Sequence, residues 1–80
     1  MRVTNYPVEI AFRFYEPNSR RDIDNVAGWG HKCILDALVK SEIIENDGWK
    51  QIRSISDEFY IDKNNPRIEV TIKERTDDNG

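Results

Sequence analysis

The sequence predicts an α+β fold, a small mixed or antiparallel sheet in the order strand, helix, strand, strand, with one principal helix packed on one face. Two observations carry this. The segments Val8–Tyr15 and Arg67–Lys73 alternate apolar and polar residues with a period of two. Between them, Ile34, Leu35, Leu38 and Val39 recur at helical spacing, with Lys32, Asp36 and Lys40 on another face.

The first strand places Val8, Ile10, Phe12 and Phe14 on one side and Glu9, Ala11, Arg13 and Tyr15 on the other. Pro17-Asn18-Ser19 ends it with turn residues, and a charged connector, Arg20 to Asn25, follows. Asp24 or Asn25 is a suitable helix cap, but Gly28 and Gly30 fall in the first turns that would follow. The regular helix is therefore expected from about residue 29 to 42, after an irregular turn near Val26–Gly30. Glu45-Asn46-Asp47-Gly48 reads as an acidic turn, and 50–61 as a second strand. Asp62-Lys63-Asn64-Asn65-Pro66 reads as a hairpin-type loop into the last strand, which turns Ile68, Val70 and Ile72 inward. Residues 1–74 form a single domain in this reading, and 75–80 a disordered polar tail.

Eighty residues make a marginal core, so association with a second copy is expected to help. A single cysteine, Cys33, excludes an intrachain disulfide, and with His31 as the one histidine it excludes a closed zinc site. No run is apolar for long enough to span a bilayer or serve as a signal peptide, so a cytoplasmic setting and no membrane partner are expected. The formal net charge of −3 is unusual for a nucleic-acid binder, but acidic residues concentrate around the connector, the 45–47 turn and the tail.

Asp22 and Asp24 stand at the entry to the helix and Asp47 in the loop beyond it. Magnesium takes hard oxygen ligands, commonly one or two carboxylates with water and phosphate. The three aspartates are a candidate set for such an ion if the 43–47 connection folds back along the sheet, and Lys32 would add positive charge to a phosphoryl transition state. Each also has a bland reading: Asp22 or Asp24 as a helix cap, Asp47-Gly48 as an ordinary turn. A helix-flanked calcium loop is excluded, because Cys33 occupies the position that requires a bidentate glutamate.

Taken together, Arg21-Asp22-Ile23-Asp24-Asn25, Lys32-Cys33-Ile34-Leu35-Asp36-Ala37-Leu38 and Ile43-Ile44-Glu45-Asn46-Asp47 resemble the RusA family of crossover (Holliday) junction endodeoxyribonucleases, common in phages and prophages. The family pattern is a basic run ending in D-x-D-N, a helix carrying K-x-x-x-D-x-L, and an acidic turn ending in a third aspartate. The resemblance implies a magnesium-dependent, homodimeric hydrolase of branched DNA, acting in recombination and repair. It implies Asp22, Asp24 and Asp47 as metal ligands and Lys32 as the catalytic lysine, with Asp36 at a further acidic position of less defined role. The sequence departs from the pattern in three places. Residues 26–31 lengthen the gap before Lys32, Asn46 replaces the first of two aspartates, and the matched region starts almost at the N-terminus, without the proline-rich strand and basic stretch that precede it in longer members.

Arg13, Arg20, Arg21 and Lys40 are candidates for phosphate contacts, against the alternative of a solvated basic surface that offsets the carboxylates. His31 is a candidate proton relay or phosphate contact, but a half-exposed helix residue is the more ordinary role for it. Trp29 and Trp49 are expected in the core or an interface more than in base stacking, and Tyr6, Phe59 and Tyr60 are expected to pack the sheet or a dimer face. Two other functions remain open on sequence alone: a catalytically weak DNA- or protein-binding relative of the resolvases, and a regulatory module whose acidic cluster is structural.

Overall fold

The structure, a computed structural model, describes residues 2–75. Strand β1 (Val8–Glu16) leads into helix α1 (Ile23–Lys40), followed by β2 (Ile52–Ile61) and β3 (Arg67–Lys73). The fold is α+β, as expected. The sheet is mixed: β1 lies in the centre, parallel to β2 on one side and antiparallel to β3 on the other. The 62–66 connection is therefore not a hairpin loop. It passes over the end of β1, because β2 and β3 are both neighbours of β1 and not of each other. Asp62 organises that passage. Its N–H donates to Glu16 O at 2.8 Å, its carboxylate accepts the N–H groups of Asn64 and Asn65, and Arg67 Nη1 donates to Oδ2 at 2.8 Å.

The period-two pattern of β1 becomes the core directly. Val8, Ile10, Phe12 and Phe14 are buried on the helix-covered face, joined by Val3, Val26 and Ile44. Being central, β1 is screened by both neighbours: Phe14 stacks on Phe59 of β2 at 5.2 Å between centroids, and Ile68, Val70 and Ile72 of β3 pack in register beside Phe14, Phe12 and Ile10. The other face is open and polar. There Arg13 pairs with Glu58, Arg67 with Asp62 and Glu69, and Tyr15 donates to Glu69.

The helix begins at Ile23, six residues before the expected start, and takes both glycines into its body. Gly30 is there for packing: a Cβ would collide with Cε1 of Phe14. The bare backbone lets α1 lie against a fully buried ring, which outweighs the cost of about 1 kcal/mol for a helical glycine. Nothing lies within 4 Å of a Cβ at Gly28, and its place in the helix has no packing reason. One residue beyond Gly30, His31 Nε2 meets Asp57 Oδ1 at 2.7 Å while its ring lies 4.8 Å from that of Phe12, so one side chain ties α1 to both β1 and β2.

The helix stops in a Schellman arrangement. The Glu42 N–H donates to Val39 O at 3.0 Å and the Ile43 N–H to Leu38 O at 2.9 Å. Ile43 and Leu38 both pack on the core, the hydrophobic contact such a stop carries. Glu42 has φ of 60°, the left-handed region. The turn sends the chain back so that Ile44 enters the core and Ile43 O accepts the Val3 N–H at 2.8 Å.

Three outcomes follow. Gly30→Ala should lose about 1–3 kcal/mol by overpacking despite its better helix propensity, read by chemical denaturation. Glu42→Gly should gain about 1 kcal/mol by relieving left-handed strain. The third concerns acid. Hydrogen bonds hold the Glu58, Asp62, Glu69 and Glu74 carboxyls below their ordinary values, through Tyr60, Arg67, Arg67 again and the Thr4 N–H respectively. Folded pKa values below unfolded ones give stability that is present above the unfolded value and lost as pH falls through the folded one. The melting temperature should therefore hold above the ordinary glutamate value of 4.5 and decline below it.

Candidate functional site

The connector after β1 brings the chain to the carboxyl ends of the two parallel strands, the edge where ligands collect in sheets crossed over by helices. A cleft of about 720 Å³ opens there, lined by the end of β1 (Glu16), the connector (Asn18, Arg21, Asp22), the first turn of α1 (Asp24, Asn25) and the end of β2 (Tyr60, Ile61). Asp22 and Asp24 share this cleft, and both are exposed.

Local geometry separates the capping role from the ligand role. Asp22 occupies the N-cap position with φ −66° and ψ 143°, and its C=O accepts the Val26 N–H at 3.1 Å, yet its side chain makes no capping hydrogen bond. An aspartate at this position ordinarily turns its carboxylate onto the N–H groups of the first turn. Here the Asp22 carboxylate makes no such bond and lies in a residue that lines the cleft, at the positive end of the helix dipole. The capping explanation, reasonable from sequence, does not hold for the Asp22 carboxylate.

The basic residues divide. Arg21 is engaged by Glu16 in a two-pronged pair, Nε to Oε1 at 3.0 Å and Nη2 to Oε2 at 3.1 Å, which raises its pKa above the ordinary arginine value. Arg20, beside it, uses its backbone N–H to close a turn on Asn18 Oδ1 at 3.0 Å and has no carboxylate partner among the described residues. Arg13 lies on the open face of the sheet, paired with Glu58 at 3.3 Å. Lys40 is exposed in the last turn of α1, at the other end of the molecule.

Asp47 also lies at that other end. It belongs to a second hollow with Leu35, Trp49, Ile52, Arg53 and Ile55, at the amino end of β2. The 18 residues of α1 span about 27 Å, and Asp22 and Asp47 flank opposite ends of it. The 43–47 connection does not fold back. It continues into β2, which must start beside Val8 to run parallel with β1. Among the described residues no group of three or more Asp, Glu, His or Cys side chains stands ready to hold a metal. Convergence of Asp22, Asp24 and Asp47 within one chain is thus corrected by the topology.

Lys32 is in α1, eight residues beyond Asp24 and about 12 Å along the axis, because the 26–31 stretch is helical. Asp36 lies another turn on and forms no ion pair with Lys32 or Lys40 within 4 Å. Asn46 accepts the Asp47 N–H at 2.8 Å through its own side chain, shaping the turn. His31 is committed to Asp57 and is half-buried, the ordinary helix role anticipated for it. Trp29 and Trp49 are not core residues: they are 59% and 99% exposed. Tyr6 and Phe59 pack on the core, whereas Tyr60 lies on the open face.

Sequence reasoning missed Glu16, Asn18, Tyr60 and Ile61 as cleft residues. Only the parallel pairing of Glu16 with Ile61 brings the β2 end beside the connector, and no local pattern announces that pairing. No helix among the described residues is long and apolar enough to cross a membrane. No curated protein and no solved structure matches the chain. The family model of the endodeoxyribonuclease RusA, however, matches residues 4–73, spanning every element from the N-terminal segment to the end of β3. The chain belongs to the RusA endodeoxyribonuclease family.

Proposed function

We propose that the protein is a magnesium-dependent endonuclease that nicks four-way DNA junctions and works as a homodimer. The observation that carries this reading is the uncapped Asp22 carboxylate beside Asp24 in the cleft of a RusA-type chain. Magnesium is commonly held by one or two carboxylates with water and substrate phosphate, so Asp22 and Asp24 are a fitting donor pair. When bound, the ion supplies a more acidic water and neutralises charge at the leaving oxygen.

The chain's own groups bind and orient the phosphate. The free N–H groups of the first helical turn, with the helix dipole behind them, offer donors to a phosphate oxygen. Arg20, with no carboxylate partner, provides a cation for a flanking phosphate. Arg21 is turned to Glu16 and acts by holding the connector in place. Lys40 and Arg13 are assigned to outlying phosphate contacts.

Asp47 enters this reading through a second copy. A two-fold axis setting α1 antiparallel to its copy would carry the Asp47 end of one chain to the Asp22 end of the other. What supports it is where apolar surface remains. Ile23 and Ile61 are exposed near the first cleft, and Trp49 and Ile55 near the Asp47 hollow. Ile55 and Ile61 also lie on the helix side of β2, in register with core-facing Ile10 and with Glu16, where α1 leaves both ends of the edge strand uncovered. Lys50 and Arg53, beside Asp47, would face the acidic end of the copy. Paired cuts in a junction also call for two sites related by a two-fold.

The displacement of Lys32 from Asp24 favours a second reading, a DNA-binding relative with weakened catalysis. A synthetic four-way junction separates the two. Under the nuclease reading, wild type nicks it with magnesium and not with EDTA, and Asp24→Asn lowers the nicking rate at least about a hundredfold with binding retained. Binding without magnesium-dependent nicking would support the second reading.

A further inference from the structure

On the open face of the sheet, three side chains form a ladder across all three strands. Arg67 of β3 lies over the Tyr15 ring of β1 with Cζ 3.7 Å from the centroid. Tyr15 stacks on Tyr60 of β2 with centroids 5.0 Å apart and planes 17° from parallel. The strand order β3-β1-β2 makes Tyr60 the last rung, at the sheet edge.

The rungs are fixed by their hydroxyls. Tyr60 donates to Glu58 Oε1 at 2.7 Å, Glu58 is held in turn by Arg13, and Tyr15 donates to Glu69. Tyr60 is 44% exposed, and among the described residues no ring or cation other than Tyr15 stacks on it. Tyr60 stands where β2 ends at the rim of the cleft that holds Asp22 and Asp24, between helix-side Phe59 and Ile61, with its own ring on the opposite, open face.

From this juxtaposition we propose that Tyr60 is a stacking platform for an unpaired nucleobase of the strand that leaves the cleft over the end of β2. The inference rests on the nuclease reading and adds a recognition residue to it. Any base has a π-face, so a rigid aromatic at the end of a stack receives it without regard to sequence. The ladder makes the platform rigid, so little freedom is lost when the base arrives. The Tyr60 hydroxyl is already given to Glu58, itself paired with Arg13, so the ring face is what this residue offers a nucleotide. The base pairs at a junction's branch point open more readily than those inside an intact duplex. Tyr60 would therefore contribute preference for branched over linear DNA.

The experiment uses the full chain and a four-way junction carrying 2-aminopurine beside the cut, with calcium replacing magnesium for binding and magnesium for nicking. Wild type and Tyr60→Phe should both change the probe's fluorescence and bind alike, since the ring is kept. Tyr60→Leu should lose the fluorescence change, weaken junction binding about tenfold or more, and leave affinity for linear duplex within about twofold. Its melting temperature and sedimentation are measured alongside. Tyr60→Leu with wild-type fluorescence change, affinity and nicking overturns the proposal while leaving the nuclease reading intact. So does a Tyr60→Leu protein that fails to dimerise, which would show a second copy covering the ring. A wild type that neither binds nor nicks the junction overturns both readings together.

Discussion

The parallel pairing of β1 with β2 is the constraint on which the rest of the molecule depends. Two parallel neighbours need a crossover that returns the chain to the starting edge, and α1 is that crossover. The connector leading into α1 then falls at the carboxyl ends of the strands, and the connection leaving it at the amino end of β2. Asp22 and Asp24 are placed together by this rule, and Asp47 is placed apart from them by the same rule. The helix is held down by a small number of close contacts: bare backbone at Gly30 against Phe14, and His31 bridging from Phe12 to Asp57. These contacts fix where the first turn, and so the cleft, sits over the sheet.

The pairing also explains the distribution of exposed apolar surface. An edge strand parallel to a central one keeps its inner side chains in register with the core. One helix covers only the middle of that register. Asp57 and Phe59 are half-buried beneath α1, while Ile55 and Ile61 at either side stay exposed. A chain of this size leaves such surface open unless something covers it, and the proposed second copy would cover both ends at once by symmetry.

Much of the fold was legible from sequence where a single period decided the matter. Val8–Phe14 and Ile68–Ile72 alternate because one face is buried and the other wet, and both strands lie where that pattern put them. The helix start was misjudged because Gly28 and Gly30 were weighed by propensity alone. The need of Phe14 for a bare backbone is a tertiary fact, with no trace near residue 30. The 62–66 loop looked like a hairpin because its turn chemistry is local, and Asp62 does organise it. Which strand lies beside which is set by long-range pairing that turn residues do not encode. The same blindness affected the site. Asp22 and Asp24 are adjacent in sequence and stay together, but the place of Asp47 depended on strand direction, and Tyr60 entered the cleft only through the register of Glu16 with Ile61.

The central claim is that a working site takes Asp22 and Asp24 from one chain and Asp47 from another. Mixing separately purified Asp24→Asn and Asp47→Asn proteins under conditions that exchange subunits tests it most directly. In a mixed dimer built this way, one site carries both substitutions and the other carries neither. Each variant alone should be inactive, and the mixture should regain magnesium-dependent nicking of one junction strand, approaching about a quarter of the wild-type site activity at equal mixing. A mixture that stays as inactive as its parents, with subunit exchange verified, would contradict the shared site.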